Sequence, residues 1–242
     1  MKLKNKQILT GILVVVVVII ILCTVHMYNS GGVYRNKISQ CKDSDEFCGI
    51  KEFSYNTPPS VKKNLELCIN KSSIQKRVDI PAWKSGKTIP TSVLVRECPE
   101  IISWYKDFSI NISKIINLHV EATPLEFETS CCILVYDQKD DFINWHFDVN
   151  YFNGRFFTVL IPITVDETCT KYVYKNYNEE ETAIELLDDR CIVFEGEKVF
   201  HMASKLCEGQ KRAVLSLQYS TDSHITLTNK ILMRLKDIAY IG

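Results

Sequence analysis

CCILVYDQKDDFINWHFDVNYFNGRFFTVLIPI, residues Cys131–Ile163, is the stretch whose reading decides the fold. It holds three segments rich in β-branched and aromatic residues, Cys131–Asp137, Ile143–Phe147 and Arg155–Ile163, with the turn dipeptide Asn153-Gly154 before the third. That composition suits pleated strands, and the polar breaks suit turns. Downstream the rhythm continues through Lys171–Tyr177, Thr182–Leu187, Arg190–Glu195, Lys198–Ala203 and Arg212–Ser220. Its breaks at Asp188-Asp189, Glu195-Gly196-Glu197 and Glu208-Gly209 carry turn chemistry as well. Strands at this spacing predict a double-sheet jelly roll or related barrel, mainly β with flanking helices. Helical spacing marks Pro59–Asn70, Pro99–Leu118 and Thr226–Ile241 as those helices.

One group of polar residues stands out on this frame. Residues i and i+2 of a strand share a face, so His146 and Asp148 can reach one metal ion. His201 follows fifty-five residues after His146. Two imidazoles and one carboxylate are the donor set that holds non-haem Fe(II) and leaves positions open. An H-x-D triplet alone is commonplace, and specificity comes from what surrounds it. Ten and eleven residues past His201 stand Lys211 and Arg212, cations placed to grip a dicarboxylate. Arg212 opens the last strand, expected as the hairpin partner of the strand that ends near His201. His119 and His224 lie outside the pattern and are not read as ligands.

With these residues in view, Cys131–Ser220 resembles the Fe(II)/2-oxoglutarate-dependent dioxygenases, and among them the prolyl 4-hydroxylase-like branch. The resemblance is carried by Tyr136 ten before His146, by His146-x-Asp148, and by Gly154-Arg155-x-x-Thr158. Val193-Phe194-Glu195-Gly196, His201 and Gly209-x-Lys211-Arg212 complete it. It implies a double-stranded β-helix, with His146, Asp148 and His201 as the catalytic metal ligands for Fe(II). It also implies 2-oxoglutarate as co-substrate, O₂, ascorbate as an accessory reductant, and contacts to 2-oxoglutarate from Arg212 or Lys211, Tyr136 and Thr158. The implied reaction hydroxylates a C–H bond and releases succinate and CO₂. Relatives that halogenate lack the carboxylate that Asp148 supplies here. A peptidyl proline, or secondarily lysine, of a secretory-pathway protein is the substrate the resemblance suggests. A small-molecule or lipid hydroxylase and a non-catalytic cupin-like binder are the alternatives.

Two departures from the family pattern matter. A third-strand tyrosine that holds the co-substrate tail in some relatives falls at Pro162 here. The Gly-Gly-x-Thr turn is replaced by Asp166-Glu167-Thr168-Cys169-Thr170. A second contact to the distal carboxylate is therefore sought from Thr158, Ser216 or Tyr136. Strand parity bears on the cation. If Arg212 points inward, so do Val214, Ser216 and Gln218; if Lys211 does, the lining is Ala213, Leu215 and Leu217. A planar guanidinium suits bidentate carboxylate binding, which favours Arg212 and leaves Lys211 as the alternative. Trp145, Tyr151 and Phe152 flank the metal residues as candidates for the substrate mouth.

The N-terminus bears on location. Lys2, Lys4 and Lys6 precede the run Ile8–Val25, ILTGILVVVVVIIILCTV. At a helical rise of about 1.5 Å per residue this spans roughly 27 Å, nearly a hydrocarbon core. With no A-x-A-like cleavage site following it, the run reads as a type II signal anchor. The expected organisation is a cytosolic tail (1–7), a transmembrane helix (8–28), a stalk (29–57) and a catalytic domain (58–242) with its β core at about 129–221. The domain would face the lumen of the endoplasmic reticulum or Golgi. Nine of the ten cysteines lie beyond the anchor, as an oxidising compartment would favour. Asn70-Lys71-Ser72 and Asn111-Ile112-Ser113 are glycosylation acceptors in that topology. Lys+Arg and Asp+Glu number 29 each, so no basic excess points to nucleic acid; a polypeptide and the membrane are the expected partners.

Overall fold

The computed structural model describes residues 14, 17, 38–41, 45–165, 169–185, 187 and 189–241. The expected tail and nearly all of the expected anchor lie outside the described residues. Among the described residues no helix is long and apolar enough to cross a membrane.

The described chain runs β1 (Ile50–Ser54), α1 (Pro59–Asn70), β2 (Lys76–Ile80), β3 (Lys84–Ile89), α2 (Thr91–Glu97), α3 (Pro99–Ile116) and β4 (Glu121–Ala122). There follow β5 (Cys131–Tyr136), β6 (Phe142–His146), β7 (Phe156–Val165), β8 (Tyr172–Lys175) and β9 (Glu181–Ile184). The chain closes with β10 (Arg190–Glu195), β11 (His201–Ala203), β12 (Arg212–Ser220) and α4 (Leu227–Ile241). Each strand segment expected after Cys131 is present, β10 and β12 with the expected bounds and the others with ends shifted by up to three residues. His201 opens its strand instead of closing it, because Glu195–Val199 is spent on a turn whose Lys198 and Val199 amides donate to the Glu195 carbonyl.

Strand pairing is antiparallel throughout, in the order β1-β10-β7-β12-β5-β3-β6-β11-β8-β9. β5, β7, β10 and β12 form one wall, and β6, β8, β9 and β11 the other. β3 turns the corner, pairing β5 through Lys87–Ile89 and β6 through Lys84 and Ser85. This corrects the expected hairpin between β11 and β12. Apart from the β8–β9 hairpin, successive strands from β5 onward cross to opposite walls, so β12 lies between β5 and β7, whereas β11 lies between β6 and β8.

The larger wall is buried on both faces, which is why its strands read as continuous apolar runs. Outward residues Ile133, Val135, Val159, Ile161, Leu215 and Leu217 pack in one cluster with Ile101, Tyr105, Phe108 and Ile112 of α3. Those helix residues recur at intervals of four, three and four, the stripe of an amphipathic helix. Each is at most 1% exposed, and full burial of such a side chain is worth about 1.5–3 kcal/mol. Pro99 starts α3, where its missing N–H costs nothing, and Asn117 ends it with a left-handed backbone (φ 53°).

Part of the expected stalk belongs to the domain. β1 pairs with β10 and covers what would otherwise be an open sheet edge. Disulfides join Cys41–Cys48, Cys68–Cys98 and Cys169–Cys207, while Cys131, Cys132 and Cys191 are buried thiols.

Candidate active site

β6 and β11 are cross-strand partners with His201 directly opposite His146. Their ring centroids are 4.1 Å apart. Asp148 follows β6 by two residues, and one ligand atom each from His146, Asp148 and His201 lie within 4.8 Å of one another. Each imidazole is fixed through Nδ1: His146 donates to the Asn144 carbonyl at 2.7 Å and His201 to the Val199 carbonyl at 2.9 Å. A carbonyl only accepts, so Nδ1 carries the proton and Nε2 keeps its lone pair for a metal. Burial pushes both imidazoles below their usual pKa, reinforced at His146 by the neighbouring His201, so both are neutral near pH 7.

Asp148 is held from three sides. Thr158 Oγ1 donates to its Oδ2 at 2.6 Å, and its backbone N–H donates to the Gly196 carbonyl at 3.0 Å. A Cβ on Gly196 would stand 2.8 Å from the Asp148 Cβ, so the turn after β10 needs glycine for this approach. Burial acts to raise the Asp148 carboxyl, but His201, His146 and the Thr158 hydroxyl together hold it below its usual value.

Arg212 is 3% exposed at the start of β12, and Lys211 just outside the strand is half-buried. The Arg212 guanidinium lies 5.6 Å from the centroid of the Tyr136 ring, its cross-strand neighbour. Burial pushes the Tyr136 hydroxyl up to about 12 even though Arg212 pulls it down. Ser216 shares this inner face, opposite Cys132 and Leu160. Parity therefore puts Arg212 inside. Thr158 does not join it in reaching a distal carboxylate: it pairs with Gln218, six residues along β12 from Arg212, about 20 Å of strand. Its hydroxyl is committed to Asp148.

Tyr172, on β8, went unread in the sequence. Its ring stacks on His201 at 5.4 Å, and its hydroxyl is buried with no hydrogen-bond partner among the described residues. Burial, then the charge of Asp148, push that hydroxyl's pKa up, while Arg212 pulls it down. Its ring thus stands against the metal-binding end, within range of the charges of Asp148 and Arg212. Only the orphaned oxygen marks it; a tyrosine on a core strand carries no such signal in sequence. This oxygen, with the two Nε2 lone pairs and the Asp148 carboxylate, fits Fe(II) and a bound keto diacid.

Other marked residues serve as bracing. Arg155 grips Glu195 twice (Nε–Oε1 3.1 Å, Nη2–Oε2 2.7 Å), pairs with Glu46 at 2.9 Å and donates to the Phe47 carbonyl. Trp145 stacks on Phe200 at 5.2 Å, its position alternating with that of His146, so it packs outside the mouth. Asp141, fully buried, accepts from Arg77, Ser85 and the amides of Asp137 and Gln138, fixing the β5–β6 turn that aims His146.

No family model matches the sequence, and no curated protein matches it. Solved structures do. A prolyl-4-hydroxylase from Pseudomonas putida is similar at a TM-score of 0.54 and 13% identity, covering 76% of this chain and 97% of its own. A Trichoplax adhaerens prolyl hydroxylase, solved with a hypoxia-inducible-factor peptide fragment, gives 0.54 and 13%, covering 86% and 96%. An epimerase of nogalamycin biosynthesis, solved with Fe³⁺, α-ketoglutarate and a nogalamycin compound, gives 0.55 and 9%, covering 76% and 82%. What these proteins share with this one is architecture. The chain has the double-stranded β-helix fold of the 2-oxoglutarate- and Fe(II)-dependent oxygenases.

Proposed function

We propose that the protein is an Fe(II)- and 2-oxoglutarate-dependent dioxygenase that hydroxylates a C–H bond of a polypeptide, with a prolyl residue the leading substrate. The observation that carries this reading is the triad of His146, Asp148 and His201, both imidazoles locked with Nε2 free of the proton. When bound, Fe(II) with 2-oxoglutarate and O₂ supplies the oxidising chemistry and releases succinate and CO₂. The chain's own residues do the rest. His146, Asp148 and His201 hold the metal on one face and leave the other open. Thr158 fixes the rotamer of Asp148, and Arg212 and the Tyr172 hydroxyl receive the distal carboxylate. The apolar walls around Phe194, Val214 and Ile192 exclude water from the reacting bond. Ascorbate is proposed as accessory reductant from the resemblance alone.

The Trichoplax prolyl hydroxylase, solved with a peptide, supports a polypeptide substrate. The nogalamycin epimerase, solved with a small molecule on the same fold, supports a small-molecule substrate as second reading. We also propose a type II membrane topology with the domain in the secretory lumen. The apolar run at Ile8–Val25 and the three disulfides of the described residues support it. The test is iron-dependent conversion of 2-oxoglutarate to succinate by the full chain in detergent. The parent is expected to turn over, and His146→Ala, Asp148→Ala and His201→Ala to be inactive. Parent-level turnover by His201→Ala would refute the assignment.

A further inference from the structure

Two cations, Lys84 inside the barrel and the half-buried Lys236 on α4, take no part in the site described above. On β3, Lys84, Gly86 and Thr88 share one face, and a Cβ on Gly86 would lie 3.1 Å from the Tyr136 ring. That face is the interior. Lys84 is 5% exposed, and its Nζ donates to Thr88 Oγ1 at 3.2 Å, so the side chain lies along the inner surface. The second cation arrives from the opposite direction. Lys236, on α4, donates to Thr129 Oγ1 at 3.4 Å and stands 5.4 Å over the Tyr151 ring. Thr129 Oγ1 donates in turn to Gln218 Oε1 at 3.4 Å. Gln218 is the cross-strand partner of Thr158, which holds Asp148. Lys236 therefore reaches the rim of the metal-binding triad.

Strand register puts both lysines at this end of the barrel: Thr88, which receives Lys84, stands opposite Leu134, next but one along β5 from Cys132, and Cys132 stands opposite Ser216, next but one along β12 from Gln218. Lys84 is felt at His146 and Cys132, and Lys236 at Asp148 and Cys132. Arg212, by contrast, is felt at Tyr136 and Tyr172. Burial pushes the pKa of both lysines down, and at Lys84 the charge of Lys236 pushes it further. Cys132, on the inner face, is driven up to about 12 by burial against the pull of the two lysines, and remains a neutral thiol. Two like charges approaching from β3 and α4 repel; Asp237 and Asp148 offset the charge of Lys236 in part, and an anion entering between the lysines adds to that relief.

We propose that Lys84 and Lys236 form an anion-binding subsite at the mouth of the barrel that seats a carboxylate of the primary substrate beside the metal-binding triad. The substrate class is thereby an acid: a peptide with Asp or Glu next to the reacting residue, or a small carboxylic acid. The inference rests on the oxygenase reading and assigns the lysines to substrate, leaving 2-oxoglutarate to Arg212.

The test uses the full chain in detergent, loaded without oxygen with Fe(II) and 2-oxoglutarate, whose charge-transfer absorbance reports co-substrate binding. Three probes are titrated: a labelled proline-containing peptide with Glu beside the proline, its Gln counterpart, and glutarate. The parent is expected to bind the Glu peptide, or glutarate, at least tenfold tighter than the Gln peptide while the absorbance persists. Lys236→Met and Lys84→Met keep the aliphatic stem, lie in different elements, and should each cut that preference to below twofold. Their 2-oxoglutarate affinity should stay within threefold of the parent. Equal binding of both peptides with no glutarate binding, or no binding of any probe, overturns the proposal. So does a preference that survives both substitutions, or a tenfold loss of 2-oxoglutarate affinity in both, which would put the lysines on the co-substrate. Lysine-dependent binding of glutarate without either peptide upholds the subsite and assigns it to a small acid. Failure of the parent to develop the absorbance would instead count against the oxygenase reading.

Discussion

Replacing Arg212 by alanine tests the co-substrate assignment most directly. The side chain is 3% exposed, faces Tyr136 from the first residue of β12, and shares the inner face with Ser216. In the proposed function its partner is the distal carboxylate of 2-oxoglutarate, which Arg212→Ala would leave buried without that cation. Truncating one partner of a buried charged pair costs about 2–5 kcal/mol, roughly thirty- to several-thousand-fold in affinity. Lys211 lies one residue outside the strand and half in solvent, so Lys211→Ala should cost at most about 1 kcal/mol, roughly fivefold. The assay is anaerobic titration of 2-oxoglutarate at saturating Fe(II), followed by charge-transfer absorbance, with iron affinity measured separately. Iron affinity should hold in both variants because neither touches a ligand. A large loss for Lys211→Ala with a small one for Arg212→Ala would refute the inward placement of Arg212. Insensitivity of both would remove 2-oxoglutarate from this end of the barrel.

Tyr172→Phe should weaken 2-oxoglutarate binding by roughly ten- to a hundredfold, the worth of a hydrogen bond to a charged group, in the same titration; an unchanged affinity would leave the orphaned hydroxyl without this role. Thr158→Val removes the 2.6 Å bond to Asp148 and should reduce Fe(II) affinity roughly tenfold or more, read by metal titration against a chelating dye. Arg155→Met leaves Glu195, 2% exposed, with Lys198 as its remaining ion pair. The expected cost is about 3 kcal/mol, a fall in melting temperature of about 6–12 °C, with a fall under 2 °C counting against it. Asn70 and Asn111 are both exposed, and at least one should carry a glycan when the chain is made on eukaryotic microsomes. A protease-accessible, unglycosylated domain would reverse the topology.

The β core was legible because its information is local. Alternation and turn chemistry locate each strand after Cys131, and the i, i+2 rule places His146 beside Asp148 without any long-range knowledge. Parity within one strand, with the planar guanidinium, favoured Arg212 over Lys211 as the inward cation, and Arg212 is the buried one. What could not be read depends on pairing between distant segments. β1 is IKEFS, a polar strand whose place is set by the open edge of β10. β3 is KSGKTI, whose glycine and lysines argue against a strand until Gly86 is seen making room for Tyr136. The hairpin expected between β11 and β12 failed for a related reason: short connections favour neighbouring strands in most sheets, as β8 and β9 do here, but β11 and β12 belong to opposite walls. Tyr172 and Thr158 show the same limit within the site. Both sit on core strands, and only the partner of each hydroxyl, Asp148 for one and none among the described residues for the other, separates a brace from a binding group.

The placement of charge gives the site its strongest internal logic. Interiors of antiparallel barrels are ordinarily filled by apolar side chains, and burying a cation opposes folding. Here Arg212 and Lys84 lie inside one barrel, Lys236 reaches its rim from α4, and the three charged groups fall at two ends. Arg212 stands with Tyr136 and Tyr172, while Lys84 and Lys236 gather around Cys132, His146 and Asp148. A single dicarboxylate anchored at the metal can satisfy the first end, since it spans only one short chain of carbons. It cannot also satisfy the rim, where Lys236 enters through Thr129 and Gln218. Sequences tolerate locally unfavourable residues mainly where function demands them. Two separated cationic ends therefore argue for two anionic ligands, of which the co-substrate is one and an acidic substrate the other.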